Sequence, residues 1–402
     1  MLFYGSTTHT PLRITGAAVW QGKDSGFKEQ DLWFENGVIV ESVTNDYDTF
    51  DASGTWIIPG LIDAHFHAYA YSLDGLEIER GPLSLIALNG ANRLKSALKR
   101  GFTTVRDVAG GDIGLGMAVR RGLLDSPRYL FTGPALSQTG GHGDPRSQHV
   151  DLCFAHGHLN ELVDGADAVR IAARERLRTG AHAIKMHTSG GVFSLTDPLT
   201  KAQYSAQEIQ AAVEEATRRD TYVTAHAYSS EAVMHSIENG IRCIEHGNLI
   251  DPATAKRMAE LDVALVPTLA AYAAMSAHGE AMGLNKVSLS KNEEVLYQGK
   301  AAVRIALEAG VTVGFGSDLM GDLEFEQLLG VELQVAAIGA TETLHSMTAS
   351  NAEIIGDSRL GSLAAGSFAD AVVLPTNPLD HPETLWDAAA RVAVFQGGVN
   401  IL

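Results

Sequence analysis

Cysteine is nearly absent from this chain: there are two in 402 residues, Cys153 and Cys243, about 90 positions apart. That excludes a disulfide framework and a Cys-x-x-Cys metal or redox motif, and points to a reducing, cytoplasmic setting. Basic residues are also scarce, 30 Lys and Arg against 48 Asp and Glu, a formal charge of −18. Such a balance opposes binding to nucleic acid by counterion release and adhesion to anionic membrane. No long apolar run occurs: the longest, Val263 to Ala277, contains Pro267 and falls short of the roughly 18 residues of a membrane span. Met1 to His9 lacks the basic stretch and apolar run of a secretory signal, which leaves open a leader removed before this chain begins. What is there is an ordinary globular balance, 45% apolar and 19% charged, enough for a large core. The length suits two or three domains, or one large barrel with an appendage. A soluble enzyme acting on a small molecule is the expectation, with neither nucleic acid nor membrane as partner.

Both ends read as β structure. Leu12 to Val19, Asp31 to Val43 and Thr49 to Trp56 alternate in polarity and are rich in β-branched and aromatic residues, as are Phe368 to Leu374 and Arg391 to Gln396. Neither end can bury a core alone, so residues 1–56 and 359–402 are expected to pair into one small β-sandwich domain. Between them, residues 57–358 alternate short apolar runs with helical periodicity. Strands are expected at Ile57 to Ile62, Phe102 to Arg106, Arg128 to Thr132, Ala183 to His187, Tyr222 to His226, Arg242 to His246, Val263 to Pro267 and Thr312 to Ser317. Several intervening helices close on glycine (Gly101, Gly180, Gly240, Gly310). Eight such units predict an α/β fold, a (β/α)8 TIM-type barrel. The rival, a doubly wound sheet, requires a glycine fingerprint after its first strand that Gly110-Gly111 does not supply. A barrel of this size is expected to form a homo-oligomer, although nothing in the sequence fixes the number of subunits.

Barrel chemistry collects at the C-terminal ends of the strands, and ligand-type residues fall there. His65 and His67 follow the first strand, and residues two apart on an extended chain share a face. Lys185 lies in the fourth strand, His226 ends the fifth, His246 the sixth and Asp318 the eighth. Singly each has a bland reading: an Hx H pair in the core, a lysine snorkelling to the rim, an imidazole bonded within the core. Together, four imidazoles, one aspartate and one lysine can encircle two divalent ions. An ammonium about 4 Å from such an ion would be repelled by roughly 8 kcal/mol at an effective dielectric near 20. Lys185 must therefore be neutral or converted to an anion, and N6-carboxylation by CO2 would supply one oxygen to each metal.

These residues carry a resemblance. Pro59-Gly-Leu-Ile-Asp-Ala-His-Phe-His, Arg100-Gly-Phe-Thr-Thr-Val-Arg-Asp, Ala135-Leu-Ser-Gln-Thr-Gly-Gly-His-Gly-Asp-Pro-Arg, Ile184-Lys, Ser189-Gly-Gly-Val, Ala225-His-Ala-Tyr, Ile244-Glu-His-Gly-Asn and Gly316-Ser-Asp occur in order. Over nearly its whole length the chain resembles the binuclear amidohydrolase superfamily, and within it the prolidase-like dipeptidases related to imidazolonepropionases. The resemblance implies that His65, His67 and Asp318 bind the more buried metal. His226 and His246 then bind the other, and carboxylated Lys185 bridges both. It implies a metal-bridging hydroxide as nucleophile, Asp318 as the group that takes its proton to the leaving amine, and His142 as donor to the scissile carbonyl. The resemblance further implies that Tyr228 hydrogen-bonds a substrate carboxylate, with packing at the rim as its alternative. His187 departs from the pattern, since relatives carry an apolar residue there; sharing a face with Lys185, it could line the substrate pocket or compete for metal, and lining the pocket or supporting a ligand is the favoured expectation. Zinc is the expected metal, and manganese, iron or cobalt suit the same donors.

The activity so implied is hydrolysis of the amide bond in Xaa-Pro or Xaa-apolar dipeptides, or in N-acyl amino acids with a free carboxylate. The alternative within the same mould is a hydrolase of a xenobiotic amide, a cyclic amide or a lactone. A mononuclear deaminase would leave Lys185 without a role, and a non-catalytic binder would not need every ligand. Asp63 and Glu245, beside ligands, are expected to orient imidazoles.

Overall fold

Gly60 divides what the sequence pattern reads as one strand, Ile57 to Ile62, into two strands of different sheets. A Cβ at Gly60 would lie 2.1 Å from Thr103 Oγ1 and 2.9 Å from Asp370 Cβ, so only glycine allows this close approach. In the computed structural model, which describes residues 10–44, 46–194 and 196–402, the chain up to this glycine forms β1 (Leu12–Thr15), β2 (Ala18–Trp20), β3 (Phe27–Glu29), β4 (Leu32–Glu35), β5 (Val38–Val40), β6 (Asp48–Asp51) and β7 (Trp56–Pro59). After it come β8 (Leu61–Phe66), β9 (Phe102–Asp107), β10 (Arg128–Phe131), β11 (Ala135–Ser137), β12 (Asn160–Leu162), β13 (Ile184–His187), β14 (Val223–Ser229), β15 (Cys243–Leu249) and β16 (Ala264–Val266). The chain closes with β17 (Ala371–Leu374), β18 (Ala393–Gln396) and β19 (Val399–Asn400). The signal-peptide reading at Met1 to His9 lies outside the described residues.

The ends do meet. One sheet has the order β19-β18-β17-β7-β2-β3 and a second the order β5-β4-β1-β6. In the first, β17 pairs antiparallel with β7 from Ala371 opposite Pro59 to Leu374 opposite Trp56. Ile14, Val19, Phe34, Ile57, Val373 and Phe395 of both ends fill one core between these sheets.

The middle of the chain is α/β. Parallel strands form a three-stranded sheet, β10-β9-β8, and a six-stranded one, β12-β11-β13-β14-β15-β16. Single contacts join them: His182 N donates to Phe131 O at 2.8 Å, and Ala64 N to Phe315 O at 2.9 Å. Residues 312–317, expected as a strand, make only one bridge, Val313 to Leu265. Gly314 and Gly316 account for this, since glycine weakens a ladder. Strands β8, β9, β13 and β14 are buried at every position, as strands covered on both faces must be.

Helices cover the outside by the expected periodicity. The helix Leu83–Lys99 turns Ile86, Leu94, Ala97 and Leu98 inward, and Gly101 follows it at φ 98°. The helix Ala206–Thr217 begins with a capping box in which Ser205 and Glu208 bond each other's backbone. No helix of the described residues is long and apolar enough to cross a membrane.

Candidate metal centre

The C-terminal ends of β8, β13, β14 and β15 place His65, His67, Lys185, His187, His226 and His246 around one cavity of about 700 Å³, which His142, Tyr228 and Asp318 also line. All nine side chains singled out in the sequence thus share one space. Two backbone features bring the deepest of them together. Asp318 N donates to His65 O at 2.8 Å, and Asp318 and His246 adopt φ of 54° and 77°, a left-handed conformation rare for side-chain-bearing residues. Gly316 gives His65 its space: a Cβ there would lie 2.3 Å from His65 Cβ and 2.9 Å from Val266 Cγ1. Gly316→Ala is expected to cost about 1–3 kcal/mol by overpacking and to weaken metal retention. Thermal unfolding, and metal counted after dialysis, check both.

Each imidazole is anchored through one nitrogen and leaves the other for the cavity, the usual support of a metal-binding histidine. His65 Nδ1 donates to Glu245 Oε2 at 2.7 Å, and its Nε2 lies 3.3 Å from Asp318 Oδ1. His67 Nε2 lies 2.9 Å from the same oxygen. His246 Nδ1 is 2.7 Å from Thr268 Oγ1, whose own proton goes to the Tyr272 hydroxyl. His226 Nε2 donates to Gly190 O at 3.0 Å. His142 Nδ1 meets Ser194 Oγ at 3.0 Å, and His187 Nε2 meets Asn160 Oδ1 at 2.9 Å.

Under His65 lies a fully buried network. Arg106 Nη2 reaches Glu245 Oε1 at 2.7 Å, with neither side chain exposed. Arg106 also donates to Ala64 O at 2.7 Å and to the Tyr222 hydroxyl at 2.9 Å, while Thr224 Oγ1 donates to Glu245 Oε1. Glu245 therefore orients His65 as expected. Asp63 acts on the backbone instead, accepting from His65 N at 3.1 Å and Ser317 N at 3.1 Å.

At His65 burial is outweighed by attraction from Asp318 and Glu245, and the imidazole is raised above the ordinary histidine value. Burial holds His187, His226 and His246 well below the ordinary histidine value and brings His142 down to about 4. For Asp318, burial opposes the charge, but attraction by His65 and hydrogen bonds from His65 and His67 outweigh it and keep the carboxylate ionised. Burial pulls the Lys185 ammonium down to about 8. Among the described residues Lys185 has no carboxylate within salt-bridge distance, and it is 2% exposed.

Two triads offer donor atoms within 4.8 Å of one another: His65, His246 and Asp318, and His142, His187 and His226. The pairs expected to share an ion also lie together, with ring centroids 4.5 Å apart for His226 and His246 and 5.0 Å for His65 and His67. Ser194 Oγ, which meets His142 Nδ1, also lies 3.1 Å from Gly191 O. Sequence reasoning also missed Asn160, Ser194, Thr268 and Tyr272, which hold the imidazoles; small polar residues far along the chain carry no spacing signal for such a task. The second histidine pair, His156 and His158, stays in its loop, with His156 3.5 Å from Glu161 and His158 3.1 Å from Gly81 O.

Known proteins resemble this chain in sequence and fold. Residues 56–401 match the profile of the Amidohydrolase family. An ochratoxinase from Aspergillus niger is 30% identical over 362 residues, covering 85% of this chain and 75% of that protein. The crystal structure of a prolidase complexed with N-methylphosphonate-L-proline superposes with a TM-score of 0.94 at 39% identity, covering 98% of this chain and 99% of the other. A Xaa-Pro dipeptidase with bound methionine in its active site shares the fold, with a TM-score of 0.87 at 24% identity and coverage of 97% and 99%.

Proposed function

Because the chain belongs to the amidohydrolase family and is a hydrolase acting on carbon–nitrogen bonds, we propose that it cleaves the amide bond of Xaa-Pro or Xaa-apolar dipeptides, or of N-acyl amino acids with a free carboxylate, with two divalent ions, zinc by preference. The observation that carries this reading is the convergence of His65, His67, Lys185, His226, His246 and Asp318 on one cavity, each anchored imidazole presenting its other nitrogen. The donor set fits divalent ions: imidazoles, one ionised carboxylate and a buried lysine that, among the described residues, has no carboxylate within salt-bridge distance. We assign these six residues to hold them, with Lys185 carboxylated at Nζ, and read β8, β9, β10, β13, β14, β15, β16 and residues 312–317 as one closed (β/α)8 ring within 61–358, since Ile57 to Pro59 pair with β17. Residues 10–44, 46–59 and 359–402 form the accompanying β-domain.

When bound, a pair of divalent ions acidifies water to near neutrality and polarises a carbonyl. The chain's own groups do the rest. Asp318, held ionised, takes a proton and delivers it to the leaving amine. Tyr228 accepts a hydrogen bond from the Tyr272 hydroxyl at 3.1 Å, which frees its own O–H to donate to a substrate carboxylate. The prolidase with a proline phosphonate, at 39% identity, supports this substrate class.

A second reading rests on the cavity wall, where Phe193, Met275, Met282 and Met320 offer an apolar surface suited to a bulky group. It makes the substrate a xenobiotic amide, cyclic amide or lactone, and the ochratoxinase relative supports it. Zinc-loaded enzyme assayed against both panels separates them. Turnover of Xaa-Pro, Xaa-apolar or N-acyl amino acid substrates, lost on chelation and restored by zinc with bicarbonate, is expected. Turnover confined to amides or lactones without a carboxylate rejects the first reading in favour of the second.

A further inference from the structure

Lys291, in the second turn of the helix Lys286–Glu308, is committed entirely to a distant part of the chain. Its ammonium donates to Gly191 O at 3.0 Å, Ser194 O at 2.7 Å and Asp197 O at 2.7 Å. An ammonium has three N–H groups and no acceptor, and these three carbonyls use them all. The Asp197 carboxylate lies against the same charge, its Oδ1 3.6 Å from Nζ. All of these partners belong to the loop between β13 and the helix Ala206–Thr217, 94 to 100 residues earlier in the sequence.

The base of that loop is closed by its own backbone: Thr188 N donates to His226 O at 3.0 Å and Gln203 N to Thr188 O at 2.8 Å. The tip is held differently, and it faces the site. Ser194 Oγ lies 3.0 Å from His142 Nδ1, so the ring of His142 is tied to the tip. Its backbone is tied there too, because His142 N donates to Gln203 Oε1 at 3.1 Å and Gln203 Nε2 donates to Asp197 Oδ2 at 2.8 Å. Both holds on His142 therefore lead to residues whose carbonyls close on Lys291, Ser194 directly and Gln203 by way of Asp197. The fit has no slack: a Cβ at Gly191 would lie 2.0 Å from His142 Cε1. Among the described residues, only Lys291 and the imidazoles of His142 and His226 reach residues 190–198 by hydrogen bonds from outside the loop. The imidazoles are what the loop has to hold, which leaves Lys291 as its support.

We propose that Lys291 is a positioning residue: its ammonium gathers three carbonyls of this loop and thereby sets His142 against the scissile carbonyl of the substrate. The inference rests on the hydrolytic reading above, in which His142 meets that carbonyl. Bonds from a charged donor are roughly twice as strong as neutral ones, and three of them converging on one nitrogen fix the tip in a single arrangement. A misplacement of about 1 Å, caused far from the reacting atoms, lowers a rate about 10²-fold, and a tip without its support allows a shift of that size at His142.

A double-mutant cycle on the zinc-loaded enzyme tests this. Lys291→Met is expected to lower kcat against a Xaa-Pro dipeptide about 10²-fold. In a His142→Ala background the same substitution is expected to lower it about threefold at most, because the group it positions is gone. Equal losses in the two backgrounds make Lys291 a merely structural residue and overturn the inference. Amide hydrogen exchange reads the loop without any substrate: residues 188–194 and 196–203 are expected to exchange at least about tenfold faster in Lys291→Met, with β14 and β15 as in the parent. Parental exchange in the loop overturns the positioning role and leaves the proposed hydrolysis standing, whereas a parent chain that turns over none of the proposed substrates overturns both. Should Lys291→Met fail to fold, Lys291→Gln, which keeps two N–H donors on a shorter arm, decides by the same cycle.

Discussion

Asp318→Asn is expected to lower kcat roughly 10²–10⁴-fold with the far-UV circular dichroism unchanged. The carboxylate sits at the centre of the deeper triad, 2.9 Å from His67 Nε2, 3.3 Å from His65 Nε2 and 3.6 Å from His246 Nδ1. An amide of the same shape cannot take up a proton and carries no charge to offset a cation. The fold is expected to survive because position 318 has φ 54°, and asparagine is among the few residues that tolerate this region. Separate measurement of kcat, KM and bound metal distinguishes lost proton transfer from lost metal. Activity within about tenfold of the parent would be too small a loss for a proton-transfer group and would remove Asp318 from the mechanism.

The largest loss of stability is expected at Arg106. Its guanidinium and the Glu245 carboxylate face each other at 2.7 Å with no solvent exposure on either side. Breaking a buried pair by deleting one partner leaves the other charge uncompensated, at a cost of about 3–5 kcal/mol. Arg106→Met is therefore expected to lower the urea midpoint sharply. Adding Glu245→Gln is expected to recover more than half of the loss, because the stranded charge is gone. The double variant still loses metal affinity, since the His65 Nδ1 proton no longer meets a carboxylate. A single variant as stable as the parent, or a double variant less stable than the single, contradicts this account.

The positions of His65, His67, His226, His246 and Asp318 were readable because each closes an apolar run, and strand ends in an α/β fold face one side. Arg106 pairs with Glu245, on a strand 139 residues away, and no local pattern names that partner. The break at Gly60 was hidden because Ile57 to Ile62 is uniformly apolar, as it must be when both halves are buried. The grouping of His142 with His187 and His226 depends on how the loop carrying Gly190, Gly191 and Ser194 folds back over β13. Loop conformation is set by tertiary contacts such as Lys291 Nζ on Gly191 O, Ser194 O and Asp197 O, which spacing does not encode.

The pairing of β7 with β17 has a bearing on biogenesis. The strand that ends just before Gly60, ahead of the HxH segment, pairs with β2 on one side but cannot find its other neighbour until Ala371–Leu374 has been translated. At about 5–20 residues per second, that wait is on the order of tens of seconds. During this interval the nascent amino-terminal half presents an unzipped apolar edge, and a holdase that shelters it would act before the polypeptide leaves the ribosome.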